Sequence, residues 1–242
     1  MRRRLWIPVL LTVGTVLYWA SPAMAQEGEG VNAFEWFIWP GGGPIGILLI
    51  LIDVASWAII IEHFISIRRG TVLPEPVRGQ VDQLVEGRQY RDVIEYTSGE
   101  PSLFSYILHQ GLTEAAHGYA AMERAMEEAA EERTTKLLRK IELLNIIGNI
   151  APMLGLLGTV FGMILVFSDI VEAGQMPDPR VLAGGVGVAL VTTFWGLVVA
   201  IPALAVYATM RNRIDALTSE AMTVAQATIS TFRPGAKKSN GG

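Results

Sequence analysis

Asp53 sits within the run Pro44 to Ile67, which is otherwise apolar apart from its polar lower end. A carboxylate in such surroundings is paired with a neighbouring helix, held protonated, or used to handle protons or ions, because a charge at the centre of a membrane span costs about 2.5 kcal/mol or more. Glu62 and His63, near the end of the same run, suit the edge of a membrane. Thr159 and Thr193 lie in two further apolar stretches. Each hydroxyl either bonds back to its own helix or orders water and relays hydrogen bonds. A hydroxyl neither holds nor releases a proton near neutral pH, so proton chemistry at either threonine needs a carboxylate from elsewhere.

Other chemistries find little support. There is no cysteine, which removes disulfides, thiolate metal sites and cysteine nucleophiles. His109 and His117 form no metal-ligand pattern with carboxylates at helical spacing. No G-x-x-x-x-G-K loop is present to cradle phosphates, so an ion gradient is the energy source to expect. The loops offer no paired nucleophile and base, so we expect neither an enzyme nor a bound cofactor or metal. With a formal net charge of −4 and no extended basic face, a nucleic-acid partner is not expected either.

The stretches that carry the threonines are built for close packing. In the second, Ala151, Gly155 and Thr159 recur every four residues, as do Gly158 and Gly162; in the third, Gly185, Ala189 and Thr193 form one stripe and Thr192, Gly196 and Ala200 another. Small residues at this spacing let helix backbones approach in lipid, so both spans are expected to pack on protein on more than one side, as in an oligomer. Pro152 and Pro202 each remove a backbone hydrogen bond inside a span and are expected to mark kinks.

The 242 residues are 51% apolar and only 17% charged, and the apolar surplus falls in segments. Arg2 to Arg4, the apolar run Leu5 to Ala20 and the Ala23-Met24-Ala25 triplet predict a signal peptide over 1–25. The alternative is an uncleaved first membrane helix. Cleavage would leave 26–43 as a short periplasmic N-terminus without Lys or Arg. Membrane helices are then expected at 44–67, 146–171 and 181–210. The basic residues concentrated in 68–145, and Arg211 and Arg213 in 211–242, place those segments in the cytoplasm, leaving 172–180 as a periplasmic loop. Within 68–145, Val77, Val81, Leu84 and Val85 followed by Tyr90, Val93 and Ile94 predict a helical hairpin, and Tyr119 to Asn145 a rod that runs on into the second span. Glu127, Glu128, Glu131 and Glu132 on that rod suit a solvated face, with partner contact as the other use. The expected fold class is an all-α, integral membrane protein with three transmembrane helices, helices extending into the cytoplasm, and an oligomeric bundle.

The strings Ala151-Pro-Met-Leu-Gly-Leu-Leu-Gly-Thr-Val-Phe-Gly-Met163 and Ala189-Leu-Val-Thr-Thr-Phe-Trp-Gly-Leu-Val-Val-Ala-Ile-Pro202 closely resemble the MotA/TolQ/ExbB proton-channel family, and Ser56-Trp57-Ala58-Ile59 resembles its ExbB and TolQ branch. The resemblance implies a homopentamer in membrane lipid around an ExbD/TolR-like single-span partner with a transmembrane aspartate. A TonB-like or TolA-like protein would act beyond it, in an inner-membrane motor for outer-membrane transport or envelope maintenance. By motif position it makes Thr159 and Thr193 pore threonines. The branch often has a glutamate where this chain has Val188, and Asp53, without a counterpart in the pattern, is held as a candidate replacement. A structural membrane scaffold that conducts no protons is the alternative. Cleavage after Ala25 predicts Gln26 as the first residue of the mature chain, which N-terminal sequencing reads directly; a chain that begins at Met1 would show the first hydrophobic run to be retained.

Overall fold

The computed structural model describes residues 43–173 and 179–230, and every regular element among them is helical. The expected signal peptide, nearly all of 26–43 and most of the 172–180 loop lie outside the described residues. In order come α1 (Gly43–Ser66), α2 (Arg69–Val72), α3 (Glu75–Glu86), α4 (Tyr90–Gly99), α5 (Leu103–Thr113), a 3-10 turn (Ala115–His117), α6 (Tyr119–Ala173) and α7 (Pro179–Ile229). Helices α1, α6 and α7 are long and apolar enough to cross a membrane. Contacts divide the chain into two units, one holding 150–198 with the chain up to 52, the other holding 53–149 with the chain from 199 on.

The second unit has a conventional apolar core. Val77 and Val81 of α3 and Val93 of α4 turn one face inward, as the period of the sequence demands. Gly87, Arg88 and Gln89 make the turn between them. Arg88, not the glycine, takes the left-handed backbone (φ 57°), and the Gln89 N–H returns to the Leu84 carbonyl at 2.9 Å to close α3.

Helix α5, which was not anticipated from the sequence, is the centre of this core. Leu103, Phe104, Ile107, Leu108 and Leu112 are all buried, each contributing about 1.5–3 kcal/mol of burial. It packs against Met122 and Met126 of α6 so closely that a Cβ on Gly111 would stand 2.5 Å from the Met126 Cγ. Tyr106, His109, Gln110 and Thr113 form its narrower polar face.

Helices α6 and α7 run antiparallel through this unit. The Thr134 hydroxyl meets that of Thr218 at 3.1 Å, Tyr207 donates to Glu142 at 3.4 Å, and Gly148 lies against Leu204, so numbers fall along one helix as they rise along the other. The third span was expected over 181–210; the helix that carries it continues to Ile229. The reason is visible in the core, where Leu217, Ala221, Ala225 and Ile229 pack with Met122 and Met126.

Arg69 ties three elements together: its Nε and Nη2 donate to Glu220 of α7 at 3.0 and 2.8 Å, and its Nη1 pairs with Glu75 of α3 at 2.9 Å. Glu127, Glu128, Glu131 and Glu132 are all exposed. Lys136 first, then the Tyr106 hydroxyl at 2.7 Å, hold the Glu132 carboxyl below its ordinary range, while Arg133 stacks 3.8 Å above the Tyr106 ring. His109 is spent on structure, its Nδ1 3.2 Å from the Ile94 carbonyl.

The start of α5 depends on one side chain. Ser102 is buried, accepts from the Ser105 N–H at 3.1 Å and donates to the Ser105 hydroxyl at 2.9 Å. Ser102→Ala should lower stability by about 1 kcal/mol, read as a lower midpoint in denaturant unfolding of the detergent-solubilised protein; an unchanged midpoint would show that the cap is dispensable.

Candidate functional site

The first unit brings together residues 150–173 of α6 and 179–198 of α7 along a seam of small residues. A Cβ on Gly196 would lie 2.7 Å from the Ala151 carbonyl oxygen and 3.2 Å from the Gly155 Cα; one on Gly155 would lie 3.0 Å from both the Thr192 oxygen and the Thr193 Cα. Further along, Gly158 faces the Thr192 side chain, Gly162 approaches the Gly185 oxygen (3.2 Å) and the Ala189 Cβ (3.3 Å), and Gly185 faces Val166. The pairings 151 with 196, 155 with 193, 158 with 192, 162 with 189 and 166 with 185 define an antiparallel contact. Glycine is required at Gly196 and Gly155 because the opposing atoms are backbone and cannot move aside, whereas at Gly158 and Gly185 they are side chains. Of the small residues singled out in the sequence, Ala151, Gly155, Gly158, Gly162, Gly185, Ala189 and Gly196 lie in this one contact.

The threonines on the seam behave differently from one another. Thr159 donates to the Leu156 carbonyl at 2.7 Å and Thr192 to the Ala189 carbonyl at 2.8 Å, each returning to its own helix as hydroxyls in helices commonly do. Thr193 instead reaches across to the Gly155 carbonyl at 3.3 Å. Its hydroxyl thus lies where two backbones are closest, and the Gly155 oxygen becomes a polar group shared between helices. Thr192, singled out in the sequence only as part of a small-residue stripe, is wholly buried and fills the space that Gly158 leaves. The pairing follows from the four-residue spacing of both stripes once their antiparallel register is known, and the sequence does not supply that register.

Phe194 and Trp195 meet edge to face, 6.2 Å apart. The outer surface of the seam is apolar, with Met153 68% and Leu156 63% exposed, so it is suited to lipid or to further protein rather than to water. Val188 supplies no carboxylate to the stripe. Pro152 lies inside α6 and Pro202 inside α7, and both helices continue through them. Asp53 belongs to the other unit, on α1. Its Oδ1 is buried without a partner, and the Trp57 indole one turn on donates to the carboxylate.

Because Gly196 meets backbone, Gly196→Val must push the helices apart. We expect a lower unfolding midpoint of the detergent-solubilised protein, whereas Gly184→Val, where an added Cβ meets nothing within 4 Å, should leave the midpoint unchanged. Equal behaviour of the two would contradict the seam.

Residues 100–223, which contain the whole seam, match the MotA/TolQ/ExbB proton channel family. The chain is similar to the biopolymer transport protein ExbB of Xanthomonas campestris pv. campestris, with 30% identity over 208 residues covering 76% of this chain and 80% of that one. It is also similar to the putative biopolymer transport protein ExbB homolog of Methanothermobacter thermautotrophicus (29% over 175 residues, 72% of this chain and 62% of that one). A third relative is the biopolymer transport protein exbB1 of Vibrio cholerae (37% over 103 residues, 41% and 45%). The chain therefore spans about half to four-fifths of the length of these relatives. The match across both halves of the glycine seam and the extent of the shared sequence show that the chain belongs to the MotA/TolQ/ExbB proton channel family, in its ExbB branch.

Proposed function

We propose that this chain is the channel-forming, stator-like subunit of a bacterial inner-membrane complex that uses the proton gradient to energise a single-span partner. The observation that carries the proposal is the Thr193 hydroxyl, which crosses to the Gly155 carbonyl at 3.3 Å instead of bonding to its own helix, within the family-matched region. A hydroxyl held between two helices has a fixed direction and a second lone pair to offer, so it can order water beside a titrating group. That group, in this reading, is a transmembrane aspartate of an ExbD/TolR-like partner, since the seam itself has no carboxylate. Thr159 lies on the same seam and assists from α6.

The exposed apolar surface around the seam supports assembly of several copies, for which a homopentamer is proposed, with the partner inside. The termini would be periplasmic at the mature N-terminus and cytoplasmic at the C-terminus. Each proton crossing a potential of 100 mV releases about 2.3 kcal/mol, enough to bias a rearrangement of the partner when repeated. The names of the relatives favour biopolymer transport of the TonB/ExbB type over envelope maintenance of the Tol type as the work performed.

The test is proton flux into liposomes holding the chain with its co-encoded single-span partner. Thr193→Val keeps the side chain's shape and removes one hydrogen-bonding group worth about 1–1.5 kcal/mol, so flux should fall roughly tenfold and should need the partner throughout. An assembled complex that carries no flux would instead identify a scaffold.

A further inference from the structure

The buried face of α1 carries polar groups that the chain does not satisfy. From Asp53 onward this face is Asp53, Ser56, Ile60 and His63, the i, i+3, i+7 and i+10 positions of one helical stripe, with Ile67 just beyond the helix end. Asp53 is half-buried, and Ser56, Ile60, His63 and Ile67 are 1%, 2%, 5% and 1% exposed. Three polar atoms on the stripe, the Asp53 Oδ1, the Ser56 Oγ and the His63 Nδ1, are buried with no hydrogen-bond partner.

Ser56 is the informative case. Thr97, Thr134, Thr159, Thr192, Thr209 and Thr223 all donate to a carbonyl three or four residues back in their own helices. Ser56 has the same opportunity and makes no such bond. His63 is equally specific. Its Nε2 is 3.0 Å from the Lys140 carbonyl oxygen, which only accepts, so Nε2 carries the proton and Nδ1 presents a lone pair to the buried face. Among the polar groups of the same unit, Tyr207 of α7 donates to Glu142 of α6 at 3.4 Å.

An unsatisfied buried polar group costs about 1–3 kcal/mol, and a membrane span tolerates such groups where they line a hydrated path. We propose that Asp53, Ser56 and His63 form a water-binding proton relay along the buried face of α1. At the helical rise, Asp53 and Ser56 are about 4.5 Å apart along the axis and Ser56 and His63 about 10.5 Å. Waters at hydrogen-bond spacing of about 2.8 Å therefore bridge the first gap singly and the second in a short file beside Ile60. A proton that leaves the Asp53 carboxyl passes through this file to the His63 Nδ1; the imidazolium then gives its Nε2 proton to water at the far end, leaving the Nδ1–H tautomer, which reverts to Nε2–H by ring reorientation and proton exchange with water before the next transfer. The relay rests on the channel reading above and adds to it a polar route on α1 that the resemblance does not assign.

The relay is tested on the complete complex with its single-span partner in liposomes. In wild type, hydroxyl-radical footprinting should label His63 well above Met210, a core residue that is fully buried among apolar neighbours, once each is corrected for intrinsic reactivity. Asp53→Asn and His63→Gln should each reduce partner-dependent proton flux roughly tenfold or more, as loss of a positioned proton-transfer group does, and Ser56→Ala should reduce it less. Unlabelled His63 overturns the water site without recourse to any variant. Flux that falls with Thr193→Val but is undiminished by Asp53→Asn and His63→Gln overturns the relay alone, and a wild-type complex without flux overturns the channel reading and the relay with it.

Discussion

The close approach of two backbones at Gly196, Ala151 and Gly155 is the constraint on which the rest of the first unit depends. In lipid the hydrophobic effect does not hold helices together, so dispersion between closely fitted surfaces and interhelical hydrogen bonds must do so. Both weaken steeply with distance. A side chain at Gly196 would separate the backbones, and with them the Thr193 hydroxyl and the Gly155 carbonyl. Packing and chemistry therefore share the same few residues.

The second unit solves a different problem with the same two helices. Its core of Phe104, Ile107, Leu108, Met122, Met126 and the alanines of α7 is the familiar arrangement of large apolar side chains around a buried helix, suited to water outside. The change in character along α6 and α7 is a change in residue size at the contact, from glycine and threonine on one stretch to methionine, leucine and isoleucine on the other. One helix thus makes two kinds of contact through the side chains it presents.

Much of this was legible in the sequence because it rests on local periodicity. The glycines and threonines at four-residue spacing mark the faces of α6 and α7 that meet, and Val77, Val81 and Val93 mark the inward faces of α3 and α4. What could not be read depends on tertiary partners. Helix α5 was not anticipated, being a short helix whose inward face is defined only by its packing against Met122 and Met126; α7 passes Arg211 and Arg213 without interruption because its later residues have a core to enter. The pairing of Thr192 with Gly158, and the difference between Thr159 bonding back and Thr193 bonding across, follow from register, which no single segment encodes. His63, assigned by sequence to a membrane edge, is buried and bonded to Lys140, because a polar residue at a helix end is also a residue one turn from a neighbouring helix.

The meeting of Gly111 and Met126 has a consequence for how this sequence can vary. Because the methionine occupies the space that a side chain at Gly111 would need, neither position is independent. A larger residue at 111 is accommodated only where 126 becomes smaller or shifts, and the two changes made together should cost less than the sum of each alone, the signature of energetic coupling between touching residues. Relatives that depart from glycine at this point are therefore expected to depart from methionine opposite it, so that two sites on successive α-helices change as one.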